Sequence, residues 1–316
     1  MSQPNYLYKY RPFGEFLLTE LTNQEVYFCN PCQFNDPLDC KPLLSVDVEM
    51  NVLERLVYHL LKKKRPDTNE WAVSRMNEYR YRASEFGEYN DGKEGERYYK
   101  RSLLNVVEEK LLEAMGDIGV LSLSKRWDSI LMWSHYANSH KGVCLEFAFE
   151  DNRYEQLKPV DYNSDRGISV KDVGRWLLLE DVDAKRRVRD RFVFSKSRDW
   201  KYEAEWRAIQ SPYGRSPSPF RLRSILFGAR CDASIVTTIV KLFSGSEIDL
   251  QFYEIYLDNK SARLIKSSVD TAEVEAFGVR KSELFRLEEL GANFEPVFED
   301  FDDATEAPAS DLPKGV

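Results

Sequence analysis

The stretch Trp200-Lys-Tyr-Glu-Ala-Glu-Trp-Arg-Ala-Ile209 places two carboxylates, Glu203 and Glu205, two residues apart in a run that otherwise has the pattern of a β-strand. Side chains alternate between the two faces of a strand, so the spacing predicts that both carboxylates point to the same face. Two like charges side by side on one face destabilise a strand unless another group makes use of them. This pair is therefore the first candidate for a functional site.

The composition is that of a soluble globular protein. The 316 residues are 42% hydrophobic and 31% charged, enough for one large domain or two ordinary ones. A net charge of −8, from 45 basic and 53 acidic residues, argues against bulk binding to nucleic acid through phosphates. No apolar run is long enough to span a bilayer, and Met1-Ser-Gln-Pro4 does not open a signal peptide. With no export signal, the protein is expected in the cytoplasm, with no membrane partner. Its five cysteines are expected to be reduced thiols there.

Hydrophobic periodicity predicts strands and helices in alternation. Leu157 to Tyr162 is expected to pair beside the strand at 142–149, and 250–257 with 262–267 to form a hairpin. The predicted strands are 5–11, 25–30, 119–124, 142–149, 157–162, 200–209, 221–227, 250–257 and 262–267, and the predicted helices are 16–21, 130–137, 170–190 and 233–243.

The segment from about 46 to 117 has a different character. Its apolar residues recur at helical spacing, which predicts a helical insertion between strands. Beyond Phe298 the chain is acidic and rich in proline and alanine, so 298–316 is predicted to be a disordered tail. We therefore expect a single α+β domain over 1–297, with a central mixed or antiparallel sheet interrupted by that insertion.

Three short motifs follow one another along the predicted strands. Arg11 closes the first strand, Ser122-Leu-Ser124 closes a middle strand, and Glu203-Ala-Glu205 lies on a later one. This order resembles the arginine–serine–glutamate class of mono-ADP-ribosyltransferases, which implies an ADP-ribosyltransferase-like fold. The sequence departs from that class at Leu123, where the family has threonine, and in the long gaps between the motifs.

The resemblance implies NAD as the substrate and a role for each motif residue. Arg11 would bind the pyrophosphate with its guanidinium fork, and Ser122 and Ser124 would order the pocket. Glu205 would hydrogen-bond the ribose 2′-hydroxyl and stabilise the oxocarbenium ion as nicotinamide leaves. Glu203 would activate or position the acceptor, an unknown macromolecule in a transferase and water in an NAD glycohydrolase.

Aromatic residues supply candidate pocket walls. Under the same resemblance Trp133, His135 and Tyr136 would enclose the nicotinamide, and Tyr10 would lie beside the cofactor. No metal is expected in this mechanism.

A second set of motifs is spread over roughly residues 6–245. These motifs are Tyr8-Lys-Tyr-Arg11, Phe28-Cys-Asn-Pro-Cys-Gln-Phe-Asn-Asp-Pro-Leu-Asp39, Val120-Leu-Ser-Leu-Ser124, Met132-Trp-Ser-His-Tyr-Ala137, His140-Lys-Gly142 and Tyr202-Glu-Ala-Glu-Trp-Arg207. Through them the chain also resembles a bacterial family known as domain-of-unknown-function family 2971. That resemblance implies no activity, only a bacterial context that includes phage defence.

Two further functions are compatible with the sequence. In a non-enzymatic ligand-binding or scaffold protein, Glu205 would pair structurally with Arg207 or Arg11, and a scaffold would have no cavity beside this carboxylate. In a metal-dependent nuclease, His135 and His140 would join an acid such as Glu146 or Asp39. These histidines are five residues apart, so they do not share a helix face as the histidines of a metalloprotease helix do.

The cysteine spacing is a weaker signal. Cys29-Asn-Pro-Cys32 with Cys40 provides only three ligands of a zinc knuckle. We therefore expect these cysteines to be buried structural thiols.

Overall fold

The computed structural model describes residues 4–64, 69–85, 93–149, 157–163, 165–258 and 260–276. These residues form twelve strands and nine α-helices. The strands are β1 (Tyr6–Arg11), β2 (Glu25–Phe28), β3 (Leu44–Ser45), β4 (Gly119–Ser124), β5 (Val143–Ala148), β6 (Lys158–Pro159), β7 (Ile168–Ser169), β8 (Glu205–Gln210), β9 (Gly214–Pro217), β10 (Arg221–Phe227), β11 (Gln251–Asp258) and β12 (Arg263–Ser268). The helices are α1 (Glu15–Asn23), α2 (Met50–Lys64), α3 (Asn69–Glu85), α4 (Lys93–Met115), α5 (Ile130–Tyr136), α6 (Val170–Leu179), α7 (Val182–Phe194), α8 (Ala233–Phe243) and α9 (Thr271–Ala276).

Eight strands form one large sheet in the order β12-β11-β10-β5-β1-β4-β8-β6. The β10–β11 pair is parallel and the other neighbours in this sheet are antiparallel, so the predicted α+β architecture with a mixed sheet is confirmed. Two small sheets, β2–β9 and β3–β7, lie outside it. The more specific expectation of an ADP-ribosyltransferase-like fold stays a prediction.

Both faces of the central strands of the large sheet are buried. On one face, apolar residues such as Leu7 and Leu123 pack with α1 and α8. On the other face, Tyr8 and Tyr10 pack against α5, and Ile209 packs in a cluster with the helices α2, α4 and α7. Burial on both faces fixes the register of the central strands, because a slip of one residue would exchange the two sets of side chains.

The helices α2, α3 and α4 lie between β3 and β4 along the chain and pack on one another through an apolar cluster. The stripe predicted from the sequence supplies much of this packing, with Leu53, Val57 and Leu60 almost completely buried. The predicted domain limits stay a prediction, and the tail at 298–316 lies outside the described residues.

The stretch 200–209 is only partly a strand. Residues Arg198–Glu203 form a 3-10 helix, Ala204 adopts the left-handed conformation with φ 44°, and the strand begins at Glu205. The N–H of Ala204 donates to the carbonyl oxygen of Lys201 and closes this turn. The prediction that Glu203 lies on the strand was therefore wrong, because local alternation does not reveal a turn held by contacts elsewhere in the chain.

Two other predicted elements differ from the structure. The helix expected at 170–190 is two helices, since Glu180 is left-handed at φ 55° and Asp181 caps α7 by accepting from the N–H of Ala184. The strand expected beside β5 is β6, which pairs instead with β8, at Lys158 opposite Arg207.

The sheet opens between β1 and β4. These strands meet at a single register pair, Tyr8 with Ser124, whereas β1 and β5 share six. Near the start of β4, Val120 pairs with Cys29, the residue that follows β2, and not with β1. The two residues exchange two backbone hydrogen bonds of 2.9 Å. The separation of β1 and β4 creates the cavity that holds the candidate site.

Candidate functional site

An open cavity of about 340 Å³ occupies the gap between β1 and β4. Its size is at the lower end of the range for small-molecule sites. Side chains from both faces of β1 line the cavity, because the edge of this strand faces the opening. The lining residues are Tyr8, Lys9, Tyr10, Arg11, Tyr27, Cys29, Gln33, Phe34, Asn35, Asp39, Val120, Ser122, Leu123, Ser124, Met132, Tyr136, Lys196, Glu203 and Glu205.

The structure brings together most of the site residues predicted from the sequence. Those that line the cavity are Tyr10, Arg11, Ser122, Ser124, Tyr136, Glu203 and Glu205. Trp133 and His135 do not line it, so their predicted place in the pocket wall is corrected. Trp133 is completely buried behind Tyr10, with ring centroids 5.2 Å apart and its indole N–H bound to the carbonyl oxygen of Trp127. His135 is exposed and faces Tyr202.

Arg11 reaches the cavity from the opposite face of the sheet to Glu205. The register pairs Tyr8 with Ser124 and Ser124 with Glu205, so these three share a face, and Arg11, three residues after Tyr8, lies on the other. The two side chains line the same cavity only because β1 and β4 are separated there. The Arg11 guanidinium forms a bidentate ion pair with Glu20 on α1, with Nε 2.8 Å from Oε2.

Glu205 is a buried carboxylate held by cations. Arg207 donates from Nε to Oε1 at 2.8 Å and from Nη2 to Oε2 at 2.9 Å, and Lys196 Nζ lies 3.2 Å from Oε2. Burial raises the pKa of Glu205, but the charges of Arg207 and Lys196, with hydrogen bonds from Arg207 and Ser122, outweigh burial and lower that pKa to about 2. Glu205 is therefore ionised throughout the physiological range.

Arg207 connects Glu205 to the loop after β2. Its side chain is fully buried, and its Nη1 and Nη2 donate to both oxygens of Asp39 at 3.0 and 2.5 Å. Lys196 also lies 3.4 Å from Asp39. The sequence did not identify Asp39 as part of this network, only as a possible acid of a metal site. No local pattern identified Lys196, since its partners are set by the tertiary fold.

Glu203 and Glu205 are joined by Lys196, which forms an ion pair with both carboxylates. Lys196 Nζ is 2.5 Å from Glu203 Oε2, and the hydroxyl of Tyr136 donates to Oε1 at 2.6 Å. Burial and the charge of Glu205 raise the pKa of Glu203, against the opposing effect of Lys196. The two neighbouring carboxylates thus have pKa values shifted in opposite directions, a feature that separates acid and base roles in enzymes.

The two serines play different parts. The hydroxyl of Ser124 is bound to protein on both sides, donating to the carbonyl oxygen of Glu203 at 2.7 Å and accepting from the N–H of Arg126 at 3.0 Å. It fixes the turn that carries Glu203. Ser122 is half-buried, and its hydroxyl forms a hydrogen bond that lowers the pKa of Glu205.

Lys9 is a lining residue that sequence reasoning did not single out. Its Nζ donates to the carbonyl oxygen of Ser122 at 2.6 Å, across the gap between the strands. Burial, followed by repulsion from Arg11, lowers the pKa of Lys9 from 10.5 to about 7. The only available signal was its position in the Tyr8-Lys-Tyr-Arg11 motif.

His135 and His140 do not contact the buried carboxylates Glu203 and Glu205. His140 stacks on Trp133 and lies 3.2 Å from the hydroxyl of Ser134, whereas His135 faces Tyr202. Within the described ranges, no group of three or more histidine, cysteine, aspartate or glutamate side chains is arranged to hold a metal ion. All five cysteines are free thiols, of which Cys40 and Cys144 are buried. The expected burial thus holds for Cys40, while Cys29 is half-buried and Cys32 exposed.

Residues 132–208 match the sequence model of a family described as protein of unknown function (DUF2971), so the predicted resemblance to that family is confirmed over this segment. The segment contains Lys196, Glu203, Glu205 and Arg207, while Lys9 lies outside it. No curated protein and no solved structure matches the chain. Among the described helices, none combines the length and the apolar character that a membrane span requires.

Proposed function

We propose that this protein consumes NAD, as a mono-ADP-ribosyltransferase or an NAD glycohydrolase, with Glu205 as the catalytic carboxylate. The observation that carries the proposal is that Arg11, Ser122 and Glu205, far apart in sequence, line one open cavity. A ligand there would meet cations on the β1 side and carboxylates on the β8 side. NAD has a matching division, with a pyrophosphate at its centre and a cationic nicotinamide ribose at one end.

The proposed binding mode follows the charges. Lys9 and Arg11 would hold the pyrophosphate, and Tyr136 and Phe34 would flank the nicotinamide ribose near Glu205. A carboxylate has about four lone-pair sites, which Arg207, Lys196 and Ser122 together occupy. The ribose 2′-hydroxyl would therefore replace the Ser122 hydroxyl on Glu205, and Ser122 would turn towards the ribose.

The proposed chemistry uses the opposite pKa shifts of the two carboxylates. As the bond between ribose C1′ and the nicotinamide nitrogen breaks, its electron pair leaves with neutral nicotinamide and the ribose becomes an oxocarbenium ion. Glu205, held ionised, would stabilise that cation without reorganising. Glu203, with its raised pKa, would accept the proton of the attacking water or acceptor hydroxyl.

Labelled NAD tests the proposal and separates its two forms. Purified protein is incubated with NAD labelled in the adenosine half, with and without cell lysate, and nicotinamide, free ADP-ribose and label on macromolecules are measured. A glycohydrolase gives nicotinamide and free ADP-ribose without lysate, whereas a transferase labels a lysate component. The absence of nicotinamide release under both conditions would refute the proposal.

The proposal places the protein in the cytoplasm, where NAD is available and thiols stay reduced. An NAD-consuming enzyme there would suit the role of a bacterial effector, including one in phage defence. The acceptor in a transferase reaction would be a macromolecule, and neither a membrane nor bulk nucleic acid would be a partner.

One observation favours a second candidate, a non-enzymatic ligand-binding protein. Arg207 binds both oxygens of Glu205 and is itself bound to Asp39, so the carboxylate is part of a buried structural network. In that case the cavity would bind its ligand without breaking a bond. Protein that binds NAD with the nicotinamide intact after prolonged incubation would establish this alternative.

A further inference from the structure

Lys9 lies at the centre of the opening between β1 and β4. It is half-buried, and its side chain extends from the middle of β1 to the carbonyl oxygen of Ser122 on β4, at 2.6 Å. An ammonium group has three donor hydrogens, so one such bond leaves two of them for another partner. The amine lines the cavity together with Arg11, two residues farther along the same face of β1.

Lys9 differs from the other cations of the site in its lack of a counter-ion. Arg11 is paired with Glu20, Arg207 with Glu205 and Asp39, and Lys196 with all three carboxylates of the buried network. Lys9 forms no ion pair with any residue that the structure describes. Buried charges in proteins are normally paired, so a lone cation at a cavity wall indicates that the counter-ion comes from outside the chain.

The charged groups that surround Lys9 belong to several elements. Arg11 on β1 disfavours the ammonium form, while Glu20 on α1, Glu205 on β8 and Cys29 after β2 favour it. Burial is the strongest effect, and the net result is an amine whose pKa is lowered to about 7. An anion placed against Nζ would offset the cost of burial and return the pKa towards its ordinary value.

We propose that Lys9 is an anion-binding residue of the cavity, and that the ligand class is a phosphate-bearing small molecule whose negative charge completes the ion pair that the protein leaves open. Arg11 would bind the same anion from the cavity side, while its guanidinium stays paired with Glu20 on α1. Because the ligand anion favours the ammonium form, binding near neutral pH takes up a proton. Affinity then falls as the pH rises above 7.

This inference deepens the proposed function, since it names what would hold the pyrophosphate of NAD and in that sense rests on it. Its test measures binding alone. Anion binding at Lys9 with no release of nicotinamide would refute only the enzymatic proposal. Normal nicotinamide release with no contribution from Lys9 would refute only this inference.

The probe is ADP-ribose, whose pyrophosphate keeps its charge across the neutral range, with adenosine as the uncharged comparison. Affinity is measured by calorimetry for the wild-type protein and for Lys9→Met, which removes the charge and retains a long side chain. The matched control is Lys171→Met, an exposed lysine on α6 that does not line the cavity.

Lys9→Met is expected to weaken ADP-ribose binding about tenfold to a hundredfold, the usual effect of losing one charge-assisted hydrogen bond. Lys171→Met should bind like the wild type, and adenosine should bind far more weakly than ADP-ribose. Calorimetry at pH 7 in two buffers of different ionisation enthalpy should show proton uptake in the wild type and none in Lys9→Met.

Three results would overturn the proposal. The first is wild-type affinity for ADP-ribose in a folded Lys9→Met protein. The second is equal affinity of the wild type for adenosine and ADP-ribose. The third is the absence of ADP-ribose binding by the wild type at millimolar concentration. If Lys9→Met does not fold, Lys9→Gln is measured in its place, with the same three criteria.

Discussion

Arg207 binds both carboxylate oxygens of Glu205, its neighbour two residues earlier on β8, with Nε 2.8 Å from Oε1 and Nη2 2.9 Å from Oε2. The same guanidinium binds Asp39, 168 residues away in sequence. This contact ties the loop after β2 to the strand that carries the candidate catalytic residue. The carboxylate faces a cavity on one side and a buried arginine on the other.

The first prediction concerns Arg207. Arg207→Met should lower the free energy of unfolding by about 3–5 kcal/mol, because it leaves Glu205 and Asp39 as buried carboxylates with only Lys196 to compensate them. Denaturant titration measures this loss. Arg187→Met is the control, since Arg187 also forms a bidentate pair, with Asp172, but is exposed, so its removal should change stability little. Equal losses in the two variants would show that burial of the Arg207 network does not matter.

The second prediction concerns the pH dependence of turnover. In the proposed mechanism Glu203 must be ionised to accept a proton. Since the pKa of Glu203 is raised, activity should fall on acidification at a higher pH than the ordinary glutamate value of about 4.3. Glu203→Gln should remove this acid limb and lower the rate by a factor on the order of a hundred or more. The measurement is the rate of NAD consumption from pH 5 to 8 for both proteins. An unchanged acid limb in Glu203→Gln would assign it to another group.

The third prediction concerns the cost of keeping Lys9 buried without a counter-ion. Below pH 7 the Lys9 amine is charged in both the folded and the unfolded protein, so the full cost of burying this charge lowers the free energy of unfolding. Between about 7 and 10.5 the folded protein releases the proton before the unfolded chain does, so the wild type gains stability as the pH rises. Lys9→Met should therefore be more stable than the wild type at pH 6, and the difference should shrink by pH 9.

Thermal unfolding of the two ligand-free proteins at both pH values provides this measurement. If Lys9→Met is less stable than the wild type at pH 6, Lys9 stabilises the fold through its bond to Ser122 and does not impose a cost.

Much of the fold follows from local sequence patterns. The alternation of Leu7 with Tyr8 predicts β1, the glycine-bounded apolar runs predict β4 and β5, and the helical pattern at 130–137 predicts α5. These elements are determined by residues within them or next to them. Their positions could therefore be read from the sequence alone.

The site could be predicted only in part. The sequence identified Glu203 and Glu205, but the strand pattern at 200–209 concealed the turn at Ala204, which is held by Ser124 and by contacts of Glu203 with Lys196 and Tyr136. Those partners are distant in sequence or have no motif of their own. The separation of β1 from β4 also left no local signal, because strand pairing such as that of Val120 with Cys29 joins residues that are far apart in sequence.

The catalytic role proposed for Glu205 is tested by the rate at which the purified protein releases nicotinamide from NAD, compared between wild type, Glu205→Gln and Glu54→Gln. Glu54 is a suitable control because it is also ion-paired, to Arg80, but lies in the helices away from the cavity. We expect release by the wild type, a loss on the order of a hundredfold or more in Glu205→Gln, and a wild-type rate in Glu54→Gln. A folded Glu205→Gln protein that releases nicotinamide at the wild-type rate would show that Glu205 is not the catalytic carboxylate.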